Sequence, residues 1–432
     1  MVLKIIGGGS LEGVVSAPPS KSYTHRAFII STLADGKSEI SNPLLSRDTL
    51  ATIRACEALG AEIENSGGEV WRVSGSSSPK TPDDVINVDN SGTTIRIMTA
   101  VSALAPGFTV LTGDASVRRR PMGPLIESLG DLGVKCFSTK GDNKPPIVVR
   151  GGGIRGGETR IPGHISSQFI SALLIACPLA ENETRIVFTS ELKSEPYLEM
   201  TIEYLNLFGG SVKYNPGSGL IIPPRQTFSP TSVKIPGDFS SASFILAAAA
   251  ITSSDVRVVN LDVNTAQGDK RIVDVLLEMG ADLEVGENYV RVMGGGKLKG
   301  ISFDCGNNPD LLPVIAVLGS FAEGKTEIFN AQHVRYKESD RISSMARELS
   351  KMGVRISEKP DGLTIFGGRV RGAHVDSHDD HRVFMALTIA ALAAEGETTI
   401  SGVESVDVSY PSFLNDMMSL GADLRWIDKN DG

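Results

Sequence analysis

The sequence predicts an α/β fold of the α+β kind, with two domains each built from three repeat units. Three observations predict it: a recurring helix–glycine–strand junction, a second recurring and strongly apolar helix, and a length that one core cannot fill. The junction reads CEALGAEI, SLGDLGVKCF, LNLFGGSVKY, LEMGADLEV, LSKMGVRIS and MSLGADLRW. Its marker glycines, Gly60, Gly133, Gly209, Gly280, Gly353 and Gly421, recur about every 72 residues, and a fixed period of this size marks a repeated structural unit.

The second element recurs out of phase with the first. It has a polar start, an Ala-rich apolar helix, a short turn and a β-branched strand, as in KSYTHRAFIISTLADGKSEIS and DHRVFMALTIAALAAEGETTIS. The six starts fall at Ser22, Gly92, Ser167, Ser240, Asp310 and His381. A helix that is apolar nearly all round belongs inside, whereas the helix before each marker glycine is amphipathic and should meet water. At 432 residues the chain exceeds one ordinary core. Polar capping units, which an open solenoid needs, are not seen at its ends. Grouping the six units as three plus three gives domains of ordinary size. The proline-bearing stretches SAPPSKS and VKIPGDFSS mark the seams. Domain 1 then comprises residues 1–19 plus 236–432, and domain 2 residues 20–235, so the chain crosses near Pro19 and Pro236. The first fifteen or so residues precede the first full helix and should pair with the C-terminal half.

The formal net charge of -9 and a pI near 5.3 argue against nucleic-acid or anionic-membrane partners, so any cationic cluster must be local. The longest apolar run, Val383 to Ala394, is shorter than the ~20 residues of a membrane span. The start MVLKIIGGGS has no signal-peptide apolar region of adequate length. Cys56, Cys136, Cys177 and Cys305 form no CxxC, which suggests neither a zinc site nor a disulfide framework. A cytoplasmic chain with reduced thiols is expected.

The stretch PPSKSYTHR sets Lys21, His25 and Arg26 among hydroxyls at the mouth of the first apolar helix. Helix starts expose unpaired N–H groups and carry roughly half a positive charge. Several starts converging would make an anion site without a phosphate loop. Arg96, Gln168, Asp310, His381 and Arg382 occupy similar places at other starts, and side chains of this kind exceed what simple capping requires.

With these residues in view the sequence resembles the EPSP synthase (3-phosphoshikimate 1-carboxyvinyltransferase) family of enolpyruvyl transferases. The motifs run through the whole chain in order: PPSKSYTHR, DNSGTTIR (Asp89 to Arg96), RRPM (Arg119 to Met122), SSQF (Ser166 to Phe169), SEPY (Ser194 to Tyr197), GDFSSASF (Gly237 to Phe244), NNPD (Asn307 to Asp310), RYKESDRI (Arg335 to Ile342) and DDHR (Asp379 to Arg382). The resemblance implies two domains of three βαβαββ units each, six units in all, with the active site in the interdomain cleft. It implies transfer of the enolpyruvyl group of phosphoenolpyruvate to the 5-hydroxyl of shikimate 3-phosphate, by addition and elimination with release of phosphate. No metal or organic cofactor is implied, and the chain is expected to act as a monomer and to be a target of the herbicide glyphosate.

Carried over motif by motif, Lys21, Ser22, Arg26, Ser166, Ser167, Gln168, Ser194, Asp310 and Lys337 would hold shikimate 3-phosphate, with Tyr197 beside it. Lys21, Gly92, Arg120, Gln168, Arg341 and Arg382 would line the phosphoenolpyruvate side. Such anions need fixed cations, and arginine's planar fork suits them best. Addition needs a base for the hydroxyl and an acid for the methylene carbon. Asp310 is the candidate base, and Glu338, beside Lys337, the candidate acid. One position departs from the family pattern. Where a lysine commonly precedes the [ST]-[YF]-P stretch, this chain has Val408, so either another cation substitutes or the affinity for phosphoenolpyruvate differs.

Two rival readings are a UDP-N-acetylglucosamine enolpyruvyl transferase and an inactive phosphate-binding relative. The first typically has KNA at the opening motif and a cysteine in the mobile loop, where this chain has GDASVRRRPM. Intact Asp310, Lys337, Glu338 and Arg382 argue against the second. GSFAEGKT (Gly319 to Thr326) spells a phosphate loop but closes a helix and opens a strand, the reverse of that motif's context. GGGIRG (Gly151 to Gly156) leads to no helix and reads as a turn. HVDSHDDH (His374 to His381) has metal-ligand residue types, but His381 opens a helix whose Arg382 suits anions.

Overall fold

Helix character alternates along the chain. The computed structural model describes residues 2–65 and 67–427. Among them are twelve α-helices: α1 (Lys21–Leu33), α2 (Arg47–Ala58), α3 (Gly92–Val101), α4 (Gly123–Asp131), α5 (Ser167–Ala176), α6 (Glu195–Leu207), α7 (Phe239–Ile251), α8 (Arg271–Met279), α9 (Leu312–Phe321), α10 (Arg341–Lys351), α11 (His381–Ala393) and α12 (Phe413–Ser419). The odd-numbered ones are the apolar helices of the repeat and are buried on every side; in α7 all residues from Ser241 to Ala250 are buried. The even-numbered ones bury one face. In α8 that face is Ile272, Val275, Leu276 and Met279, the spacing of a single helical stripe. None of the described helices is long and apolar enough to cross a membrane.

The strands form six four-stranded sheets of one design. An edge strand runs parallel to an inner strand, and the other two pairings are antiparallel. Around α9 and α10, for example, Ser302–Asp304 is parallel to Lys325–Phe329, which pairs antiparallel with Gly362–Phe366, itself antiparallel to Arg355–Lys359. The order there is βαβαββ. Three sheets are completed by strands distant in sequence. Val2–Ile6 lies between Glu397–Ser401 and Leu424–Ile427, Glu12–Ser16 runs parallel to Asp255–Val259, and Ser232–Lys234 runs parallel to Gly36–Ser41.

The chain divides into two compact units, Met1–Pro18 with Pro236–Gly432, and Pro19–Ile235. In the first, α7, α9 and α11 pack on one another; in the second, α3 packs on α5, and α1 on α2 and α6. These contacts form each unit's apolar centre, with Phe239, Phe244 and Phe384 in the first and Phe28 and Phe169 in the second fully buried.

Glycine closes both kinds of helix, by different means. All six marker glycines have φ between 83° and 103°, left-handed backbone that a Cβ disfavours. After each, the next N–H reaches back to the carbonyl five residues earlier, as Ala61 does to Cys56 at 3.2 Å and Val134 to Leu129 at 2.8 Å. That bond satisfies a carbonyl left over at the helix end. A second set of glycines, which the repeat reading did not single out, closes the buried helices. Gly7, Gly75, Gly151, Gly294 and Gly367 end or follow inner strands, and a Cβ on any of them would come under 3.0 Å from carbonyls at the end of the buried helix beneath. The backbone passes so close because it donates there: Ser76 N to Thr32 O at 2.9 Å, Gly8 N to Leu392 O at 2.9 Å and Gly368 N to Ser320 O at 3.1 Å. The remaining repeat has Pro223 at this place and caps its helix through Gln226 N to Pro178 O at 2.8 Å.

Gly75→Ala should therefore lower stability by about 1–3 kcal/mol, the cost of overpacking against atoms that cannot turn away. Gly68→Ala, where nothing lies within 4 Å of the added carbon, should be nearly neutral. Thermal denaturation of the pair checks this; equal melting temperatures would contradict the close approach.

Candidate active site

The mouths of the buried helices carry the polar side chains. In the unit Pro19–Ile235, α1 begins at Ser20, whose side chain makes no capping bond. Lys21 in the first turn meets Asp48 of α2 at 3.0 Å, with both side chains mostly covered. Arg26, one turn on and 2% exposed, gathers three helices. Its Nε donates to Thr201 Oγ1 at 2.9 Å, and its terminal nitrogens donate to the carbonyls of Ser22 at 2.9 Å and Tyr197 at 2.8 Å, and to Ser171 Oγ at 3.4 Å. Burial lowers its pKa to about 10, against the opposing pull of Tyr23, Tyr197, Tyr204 and Glu203, so it stays charged at neutral pH. His25 is pushed well below its usual value, first by burial and then by Lys21 and Arg26. It is a neutral imidazole.

The starts of α3, α5 and α6 lie in the same unit. Ser91 caps α3 by accepting from Thr94 N at 3.2 Å. Gly92 follows, and a Cβ there would run into the guanidinium of Arg120, which donates to Ser116 Oγ at 3.2 Å. Arg96 bonds Gln168 of α5 and lies 5.2 Å from the centre of the Phe169 ring. Gln168 Nε2 donates in turn to Thr93 Oγ1 at 2.8 Å, while Ser166 caps α5 from Gln168 N at 3.3 Å. Ser167 and Ser194 are each 5% exposed. Ser194 takes left-handed backbone at φ 59° to start α6, and Tyr197 N donates to its carbonyl at 3.1 Å. Ser22 takes part through its carbonyl. Cations predominate in this set: Lys21, Arg26, Arg96 and Arg120 accompany Asp48.

The other unit sets carboxylates against its cations. Arg341 opens α10 at 1% exposure. It donates to Asp380 Oδ2 at 2.9 Å, Asp310 Oδ1 at 2.7 Å and Glu338 Oε2 at 2.8 Å. Burial alone would lower its pKa, but the charges of Asp380, Glu338 and Asp310 outweigh that and hold it well above its usual value. Arg382, in the first turn of α11, meets the second oxygen of Asp310 at 3.0 Å. Asp380 caps α11 by accepting from Arg382 N at 2.9 Å. Lys337 ends the short 3-10 turn Gln332–Tyr336, and its charge reaches Cys305. Lys337, Arg341 and Arg382 thus accompany Asp310, Glu338 and Asp380, with Asp269 beside Asp310 and Arg382 as a further carboxylate.

Three members escaped the sequence reading. Asp380 lies inside the DDHR motif, and its place before a helix signals a cap, but nothing in the sequence pairs it with Arg341. Asp48 and Asp269 carry no motif. Asp269 bonds Ser240 Oγ and lies 3.5 Å from Asn308 Nδ2. Burial, then the charge of Asp310, raises its pKa to about 6, although Arg382 and the Ser240 hydroxyl pull it down.

Val408 ends the 3-10 turn Val403–Val408 and is 3% exposed. The position where the family carries a lysine is here a packed apolar one, and an ammonium on this backbone would be buried at a cost of several kcal/mol. GSFAEGKT runs from the end of α9 into the strand Lys325–Phe329, and GGGIRG joins two strands. In HVDSHDDH, His374 bonds Thr399, His378 bonds Glu348, and His381 is buried in α11. Among the described residues no three His, Cys, Asp or Glu side chains form a group able to hold a metal ion.

Residues 5–417 match the family described as EPSP synthase (3-phosphoshikimate 1-carboxyvinyltransferase). A 3-phosphoshikimate 1-carboxyvinyltransferase of Methanocella arvoryzae is 52% identical over 96% of this chain and 98% of its own. That of Methanosarcina mazei is 52% identical over 98% of both. Among solved structures, an EPSP synthase from Acinetobacter baumannii superposes with a TM-score of 0.83 at 29% identity, covering 98% of this chain and 99% of that one.

The raised pKa of Asp269 makes a pH prediction. A carboxyl that holds its proton more tightly when folded favours folding below its unfolded pKa, near 4, and loses that contribution as pH rises through about 6. Asp269→Asn cannot ionise. Its melting temperature relative to the unmodified protein should therefore rise between about pH 4 and pH 7. A difference independent of pH would contradict the assignment.

Proposed function

The chain belongs to the EPSP synthase family, and we propose that the two sets of helix-mouth residues carry out that family's reaction on phosphoenolpyruvate and shikimate 3-phosphate, in the shikimate pathway of aromatic amino acid biosynthesis. The observation that carries the assignment of roles is the arrangement at Arg341. One buried guanidinium holds both candidate proton-transfer groups, Asp310 and Glu338, at 2.7 and 2.8 Å.

Asp310 serves as the base. Its two oxygens face two arginines, which orient the carboxylate while each oxygen retains a lone pair for the 5-hydroxyl proton. Glu338 serves as the acid. Phosphoenolpyruvate arrives as an anion at cations already matched by carboxylates, so a proton taken up at Glu338 frees donors of Arg341 for the newcomer. The same proton can then pass to the methylene carbon. Two carboxylates on one arginine, in different surroundings, can thus hold opposite protonation states.

In the other unit the excess of cations suits the second anion. Lys21, Ser22, Arg26, Ser166, Ser167, Gln168 and Ser194 hold shikimate 3-phosphate with Tyr197 beside it, joined by Asp310 and Lys337. Lys21, Gly92, Arg120 and Gln168, with Arg341 and Arg382, hold phosphoenolpyruvate. The missing Cβ of Gly92 leaves the Arg120 guanidinium its place. We also propose that the chain works as a cytoplasmic monomer without metal or organic cofactor. Phosphate release assayed with shikimate 3-phosphate and with UDP-N-acetylglucosamine tests the acceptor. Release with the first alone is expected, and release with the second alone would overturn the reading.

Asp310→Asn and Glu338→Gln should each reduce turnover by about 100-fold or more, the scale of general acid–base catalysis. Shikimate 3-phosphate binding, followed by calorimetry, should change far less. Parallel loss of binding would make both residues anchors of Arg341 and not proton-transfer groups.

A further inference from the structure

The starts of α1 and α3 are tied through α2, a helix to which none of the substrate contacts above is assigned. Asp48, in the first turn of α2, takes Lys21 at 3.0 Å. One turn further, Thr52 Oγ1 lies 2.6 Å from His25 Nδ1 of α1 and 2.6 Å from Thr94 Oγ1 of α3. Thr94 Oγ1 lies 2.6 Å from Ser91 Oγ, the cap of α3. Imidazole and three hydroxyls thus form one unbroken chain across three helices. Its members are sealed from solvent: Thr52, Thr94 and Ser91 are 0% exposed and His25 is 1% exposed.

Each end of the chain adjoins residues assigned to the substrates. His25 immediately precedes Arg26 and lies one turn beyond Lys21. Ser91 immediately precedes Gly92, which sets the room beside Arg120. We propose that Thr52 is a positioning residue for the reaction: by bonding His25 and Thr94 together it fixes the distance between the Lys21–Arg26 turn and the Gly92–Arg96 turn. A hydroxyl can do this because it both donates and accepts, so it spans two partners that a methyl group of equal size cannot join. Neutral His25 suits the link, since burial and the neighbouring cations disfavour a charge there. Catalysis that depends on two held reactants is sensitive to such spacing, and a displacement of about 1 Å can cost on the order of 100-fold in rate.

The inference rests on the assignment of Lys21 and Gly92 to the substrate site, and the test separates the two. Thr52→Val keeps the shape and removes the link. Thr99→Val is the matched control, because Thr99 on α3 is equally buried and bonds only the carbonyl of Ile95 in its own helix, at 2.6 Å. Steady-state kinetics below the melting temperature should show kcat/KM for phosphoenolpyruvate reduced about 10- to 100-fold in Thr52→Val, near normal in Thr99→Val, and restored to within about threefold in Thr52→Ser. Equal effects of the two valine variants, or failure of Thr52→Ser to restore activity, would overturn the proposal and leave Thr52 a packing residue. If Thr52→Val does not fold, Thr94→Val breaks the same chain and carries the same expectation. Lys21→Ala reports on the underlying assignment. A variant with unchanged kinetics would overturn the substrate site itself, whereas a defective Lys21→Ala beside a normal Thr52→Val would overturn the positioning role alone.

Discussion

A helix that is apolar on every side can be stable only inside, and its two ends then pose a problem that its flanks do not. The last four carbonyls and first four N–H groups lack partners within the helix, and leaving them buried and unpaired would cost more than the burial of a few methyl groups returns. Each of the two units contains three such helices. At the carboxyl end the answer is backbone: a strand passes over the helix end at a glycine in five of the six repeats and, where backbone bonds are made, the residues beyond donate to the open carbonyls. At the amino end the answer is polar side chains. These form the candidate site.

The mouths differ in how they are completed. Where the caps are Ser91 and Ser166, neutral hydroxyls leave the positive end of the helix unopposed, and Lys21, Arg26, Arg96 and Arg120 add to it. Where Asp238, Asp340 and Asp380 cap α7, α10 and α11, carboxylates meet the positive ends, and Arg341 is drawn against Asp380. The first arrangement is suited to holding an anion, the second to moving protons in the presence of one. One family of helix ends thereby supplies both tasks.

How much of this the sequence discloses depends on the range of the interaction. The six repeats and the two kinds of helix are legible because periodicity and apolar runs are local. So are Gln168, Asp310 and Arg382 at the polar starts of apolar helices, whereas Ser194 and Arg341 are named only through the motifs of the resemblance. Asp48, Asp269 and Thr52 are not legible, because each acts through a partner on another element and looks in sequence like any residue of an amphipathic helix or loop. The closing glycines fall between these cases. GGGIRG leads to a strand and not to a helix, yet only the packed structure shows that Gly151 is also where the backbone crosses the end of a buried helix. At Val408 the sequence reveals a missing lysine, and burial explains why valine is comfortable there.

The central claim is that the substrate anions are held at helix amino ends, those of the buried helices together with that of α6. A crystal structure of the protein with bound shikimate 3-phosphate tests it most directly. The account predicts that the ligand lies against Ser166, Ser167 and Ser194, at the starts of α5 and α6, with Arg26 and Gln168 in place behind them. Ligand bound on an outer sheet face, or at a site that none of these helix starts reaches, would contradict it.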